Sequence, residues 1–268
     1  MAGQFKAGEI VNLSLPDVFS LLHKVEDKHP NWSSVSRPPY SWNGDLTYNQ
    51  ALRFAEFGWP DAPQLGRIVV PNVHDLIQDQ TCFYDVCGEV LDVPAYISGS
   101  TPDCWINYED EPKTSNVIRL AVEIGGLGDV SADSMKNRGE AIIAMINSLE
   151  LAGHSIELNI VRCFSESRYG DADYTFLIRV KDAGQVMDIQ RVQFMLGHPA
   201  FYRRCLFGLS EIAKGSSMDK KNTWTRSYAP DGYVHIPHNC GRYEDSEDSM
   251  YWAKVFAETI SEQEPALA

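Results

Sequence analysis

Apolar residues change their spacing along the chain, and the changes mark elements. In "LPDVFSLLHKVE" (15–26), Val18, Leu21, Leu22 and Val25 recur at helical spacing, and Pro16–Asp17 suits a first turn. Residues 29–44 are dense in Pro, Ser and Trp and predict loop. A helix is expected over 46–60: Thr47 can cap it, Ala51, Leu52 and Ala55 share a face, and Gly58 and Pro60 stop it. A short helix over Asn72–Gln80 follows Pro71, then strand and turn over 81–93 and a loop-rich connection over 93–112.

The pattern becomes regular from residue 117. "VIRLAVEI" (117–124) is apolar at nearly every position, as a strand covered on both faces would be. Arg138–Leu151 carries Ile142, Met145, Ile146 and Leu149 in a helical stripe, and Gly153 supplies the left-handed stop. Strands are expected over 155–163, where Ile156, Leu158 and Ile160 alternate, over 173–181 and over 232–239. Helices are expected over 187–197 with Asp188 as N-cap, over 200–213, and over 249–260 with Trp252, Val255, Phe256 and Ile260 inward. The order β-α-β-β-α-α-β-α predicts an α/β fold, a mixed sheet with helices on its faces, with a right-handed crossover between 117–124 and 155–163 if they run parallel. An irregular, mostly helical N-terminal region precedes it, with the boundary placed between 1–112 and 113–268.

Composition narrows the setting. The 268 residues are 44% hydrophobic and 22% charged, which is globular, and their runs are too short to span a membrane. No secretory signal is visible at the N-terminus, and the six cysteines form no CxxC pair, so reduced thiols and a cytoplasmic location are expected. The net charge of −14 argues against a general polyanion binder and fits an acidic, solvated surface or one that docks on a basic partner.

The stretch "EIGGLGDVSADSMKNRGEAII" (123–143) is a strand–turn–helix junction where phosphate loops and metal sites occur. It is no Walker loop, having no lysine in frame, and the dinucleotide fingerprint fails because Ser131 stands where the third glycine belongs. The junction resembles von Willebrand factor A-type domains, where a strand ends in D-x-S-x-S. That resemblance implies a Mg²⁺ site and a degenerate A-type or Rossmann-like sheet over roughly 116–260. The family's Asp falls on Glu123 and its serines on Gly125 and Leu127, so two hydroxyl ligands are missing. A shifted frame offers Asp129 and Asp133, leaving Glu123, Asp129 and Asp133 as the candidate Mg²⁺ ligands, against the plainer reading of a glycine turn and a capped helix. No other cofactor is expected.

Other constellations are local. "HIPHNC" (235–240) offers His235, His238 and Cys240, though two histidines so spaced on a strand face opposite ways. Arg203 and Arg204 could hold an anion. As helical neighbours about 100° apart, one should face solvent and the other an internal acid. Trp32, Trp42 and Trp59 could stack bases, but packing competes with that role. No GxSxG elbow is present.

"SWNGDLTYNQALRFAEFGWP", "DVPAYISGSTPDCW" and "MDIQRVQFMLGHPAFYRRCLFGL" resemble uncharacterised proteins encoded by tailed bacteriophages. The resemblance implies a viral origin and a host-takeover or assembly role. The leading expectation is a non-enzymatic protein acting through a protein partner or self-association. The alternatives are an accessory factor for single-stranded nucleic acid and, third, a divalent-metal enzyme.

Overall fold

The computed structural model describes residues 8–62, 80–88, 90–99, 103–110, 117–125, 130–151, 153–164, 174–217 and 230–237. The chain divides into two compact units, Met1–Val70 with Val117–Ala268, and Pro71–Asn116. The region expected as 1–112 is therefore shared between both units.

The larger unit is an α/β fold. It opens on strand β1 (Ile10–Ser14), too short and too mixed in polarity to read as a strand. Helix α1 (Leu15–Lys28) follows directly, started by a capping box in which Ser14 and Asp17 exchange hydrogen bonds. Those bonds hold the Asp17 carboxyl below its ordinary range. The segment 29–44, expected as loop, contains the one-turn helix α2 (Ser33–Ser36) and a 3-10 turn (Ser41–Asn43). Helix α3 (Tyr48–Phe57) has its capping box at Thr47 and Gln50, and Gly58 ends it at φ +96°. In the smaller unit lie β2 (Gln80–Asp85), β3 (Val90–Leu91), α4 (Val93–Ile97) and β4 (Trp105–Asp110).

Strand β5 (Val117–Glu123) leads into α5 (Ala132–Leu151), which begins six residues before the Arg138 expected from its apolar stripe (138 minus 132). The stripe misses the first turns because, Met135 apart, their inward positions are Ser134, Arg138 and Gly139. The Oγ of Ser131 accepts from the Ser134 amide at 3.0 Å and starts the helix. Strands β6 (Ser155–Phe164) and β7 (Tyr174–Lys181) follow as expected, then α6 (Ile189–Gly197), capped by Asp188. The expected 200–213 helix is a π-helix (Phe201–Leu206) running into α7 (Phe207–Lys214). Strand β8 (Val234–Ile236) closes the sheet. The helices expected over 72–80 and 249–260 lie outside the described residues, except that Gln80 starts β2.

The sheet order is β1-β7-β6-β5-β8. β1 is parallel to β7, β5 is parallel to β6 and β8, and only β6–β7 is antiparallel. This mixed sheet departs from the parallel 3-2-1-4-5-6 order of dinucleotide-binding folds. Register and period place Leu120, Val122, Leu158, Ile160, Phe176, Ile178, Val234 and Ile236 on one face, all fully buried. The opposite face carries a small cluster of Ala121, Val161, Cys163 and Leu177. Beside it runs a charged row, where Glu157 meets Arg119 at 4.0 Å and Arg179 at 3.6 Å across three strands.

The helices pack on one another, α5 on α6, α6 on α3 and the π-helix, and α1 on α3 and α7. At the α5–α6 crossing a Cβ added to Gly139 would lie 2.5 Å from the Gly197 Cα. Only glycine lets these backbones approach so closely. In an exposed helix Gly→Ala stabilises by about 1 kcal/mol. Here Gly139→Ala should instead lower stability by roughly 1–3 kcal/mol, through overpacking. Urea unfolding measures it, and an unchanged or raised midpoint would contradict this packing.

Candidate functional site

The chain leaves β5 for β6 on one side, while β8 lies on the other side of β5. Open α/β sheets bind ligands beyond the carboxyl ends of strands at such a reversal. Three side chains from three elements meet there. Glu123, the last residue of β5, is buried, and its Oε2 lies 3.7 Å from the Nε2 of His235 on β8. Arg138 of α5 spans the gap, its Nη2 donating to the carbonyl oxygens of Glu123 and Pro237, each at 3.3 Å. The end of β5 thus gathers an acid, an imidazole and a guanidinium, chemistry suited to gripping a polar group.

It differs from the expected metal set. Asp133 stands exposed in the first turn of α5, 3.2 Å from Lys136. Asp129, His238 and Cys240 lie outside the described residues. Among the described residues, no group of three or more His, Cys, Asp or Glu side chains could hold a metal ion.

The π-helix places Arg203 and Arg204. The expectation that one faces solvent and the other an internal acid is corrected: they are 2% and 1% exposed, and both donate to carbonyl oxygens. The wider π turn brings successive side chains closer in angle than an α-helix does. Arg204 binds the carbonyls of Leu46, Ser34, Arg37 and Pro38 at 2.8–3.2 Å. Arg203 binds those of Trp42 and Val130 and lies over the Trp42 ring at 4.6 Å. Glu211 of α7 completes the grip by accepting from the Ser34 amide and hydroxyl and from Ser217.

The three tryptophans form no common stacking platform. Trp32 stacks on His29 at 3.9 Å, Trp42 packs between Arg203 and Phe207, and Trp59 meets Phe194 and His198 edge-on. Each ring is used locally as packing surface.

Arg162 is the charged side chain that motif reasoning overlooked. It sits on β6 at 3% exposure, its guanidinium carbon 5.0 Å from the Tyr202 ring, 5.8 Å from Phe207 and 6.0 Å from Phe164. The signal was present in "SIELNIVRC", where Ile156, Leu158 and Ile160 alternate and an arginine continues the apolar stripe.

Burial shifts two titratable groups at the π-helix towards their neutral forms. Burial, helped by Lys136, pushes the His198 imidazole down to about 4, and its Nδ1 accepts from the Ala200 amide at 3.1 Å. Burial likewise pushes the Cys205 thiol well above its ordinary range.

The smaller unit offers a different kind of surface. Its sheet has the order β2-β4-β3, antiparallel throughout. Helix α4 starts at Asp92, which caps the Ala95 amide at 3.0 Å and accepts from the Tyr84 hydroxyl at 2.9 Å. Tyr84, Val86, Val90, Val93, Tyr96 and Ile97 are all exposed, Ile97 at 77%.

These features define a mixed-sheet α/β protein with a small three-stranded unit inserted between its third helix and its second sheet strand in chain order. The chain belongs to the family described as Domain of unknown function (DUF7192), which it matches over residues 11–263. No curated protein and no solved structure matches it.

Two outcomes test this geometry. Arg204→Lys cannot reach four carbonyls and should cost about 2–4 kcal/mol, read by urea unfolding; a loss under 0.5 kcal/mol would show the clamp is dispensable. His198 is neutral when folded and titrates near 6.5 when unfolded, so its contribution is complete above pH 6.5 and is lost as pH falls towards 4. The stability advantage of the wild type over His198→Asn should therefore shrink by on the order of 2–3 kcal/mol from pH 7 to pH 4. Parallel curves for the two proteins would exclude His198 as the source.

Proposed function

We propose that this chain is a non-enzymatic interaction protein whose small three-stranded unit docks on another protein. The observation that carries this reading is the concentration of exposed apolar side chains between residues 84 and 97: Tyr84, Val86, Val90, Val93, Tyr96 and Ile97. Scattered exposed apolar residues, such as Leu151 and Val186, need no explanation, but six within one short unit favour a binding surface. Tyr is enriched in such surfaces because it supplies contact area at low entropic cost. The acidic chain, at net charge −14, favours a protein partner over nucleic acid. A viral setting would place that partner among host or virion proteins.

The double substitution Tyr96→Ser/Ile97→Asp lies on exposed positions and should leave the melting temperature of the full chain within about 2 °C. Wild type should self-associate in sedimentation, or retain a discrete protein in pull-downs, and the variant should lose that association. A wild type that sediments as a monomer and retains no protein would end this reading.

A further inference from the structure

Among the described residues, each buried Lys or Arg side chain except Arg162 donates to at least one oxygen, although Nε of Arg138 and of Arg203 is left over. Lys181 pairs with Glu150 at 2.6 Å and donates to the Ile156 carbonyl. Arg138 and Arg203 each reach two carbonyls and Arg204 reaches four. Arg162 is as deeply buried, yet both its Nε and its Nη2 are without a hydrogen-bond partner.

The two nitrogens are not independent. Nε and Nη2 share one edge of the planar guanidinium, the edge that presents two parallel N–H donors to a pair of oxygens. Arginine cannot escape burial by losing its proton. The rings of Tyr202, Phe207 and Phe164 stabilise the charge through their faces, but a ring face leaves an in-plane N–H fork unanswered. Such an edge is costly unless an oxyanion meets it.

Its position agrees with that role. Arg162 lies near the carboxyl end of β6, beside the end of parallel β5, on the face that carries Ile160 and Phe164. Tyr202, which covers it, adjoins Arg203, whose Nη2 holds the Val130 carbonyl ahead of α5. Charge selects among oxyanions. One guanidinium edge walled by aromatic rings balances one negative charge. A phosphate dianion would carry a second charge against those rings.

We propose that Arg162 anchors a carboxylate-binding site, the ligand's two oxygens on Nε and Nη2 and its apolar body against Tyr202, Phe207 and Phe164. This site is separate from the docking surface of the smaller unit and does not rest on it.

The full-length chain is titrated with benzoate, inorganic phosphate and chloride at constant ionic strength, following melting temperature and the arginine Nε–H resonances. Benzoate should give a saturable rise on the order of 5 °C at a hundredfold excess over its Kd. It should also shift one Nε–H signal that is absent in Arg162→Met. Without ligand, Arg162→Met should melt at or above the wild-type temperature, because an unanswered buried charge has been removed. Arg162→Lys keeps the charge but not the edge and should weaken benzoate at least tenfold.

A response to phosphate and not benzoate overturns the carboxylate assignment. So do equal responses to all three salts, or a benzoate response that survives in Arg162→Met. Failure of Arg162→Met to fold would show that the chain itself satisfies the arginine, and would overturn the proposal as well.

Discussion

The grip of α7 and the π-helix on Ser34 and the loop behind it is the interaction on which the larger unit depends. Residues 34–46 contain little regular structure, so their carbonyl groups must find donors outside the segment. Arg204 supplies four N–H groups to them, while Glu211 takes the Ser34 amide and hydroxyl. Ser34 is thus held through its carbonyl by a cation and through its donors by an anion. That arrangement fixes the path from α1 to α3, and the buried Tyr48 then reaches back to the Leu22 carbonyl at 3.0 Å. Gly208 of α7 leaves room for that ring, since a Cβ there would stand 3.1 Å from the Tyr48 hydroxyl.

What was legible in the sequence divides by the range of the forces involved. Elements whose limits are set locally were readable: α3 by Thr47 and Gly58, α6 by Asp188, β5 and β6 by their apolar runs. β1 was not, because it is an edge strand of five residues whose pairing with β7 spans most of the chain. β4, "WINYED", reads as connection because its acidic end breaks the apolar pattern, and only its pairing with β2 and β3 makes it a strand. The start of α5 was hidden because Gly139 faces inward for its lack of a side chain, which no scale of hydrophobicity rewards.

The candidate sites were less legible for a related reason. Motif logic looks for ligands at fixed spacing, yet Glu123 and His235 are brought together by adjacent strands far apart in sequence. The adjacent Arg203 and Arg204 looked divided between surface and interior on an α-helical wheel, and the π turn removed that division. Arg162 could have been flagged, since a cation on the apolar face of a buried strand needs a reason. Its surroundings could not, because Tyr202 and Phe207 reach it only through the tertiary fold.

Among the described residues, buried cations outnumber the buried acids Glu123, Glu157 and Glu211, and that excess constrains what the interior can recognise. The chain carries 37 acidic residues against 23 basic ones, yet Arg138, Arg162, Arg203 and Arg204 are all buried in the larger unit. Three of them hold backbone carbonyls, which orient a guanidinium without cancelling its charge. The net-acidic chain repels extended polyanions over a distance of about a Debye length, roughly 8–10 Å. A buried guanidinium lies beyond the reach of a nucleic-acid backbone in any case. A small molecule with one negative charge feels little of that repulsion and gains the full, weakly screened attraction once inside. On the proposal that Arg162 takes a ligand, this arrangement of charge favours a small monoanion over a polymer.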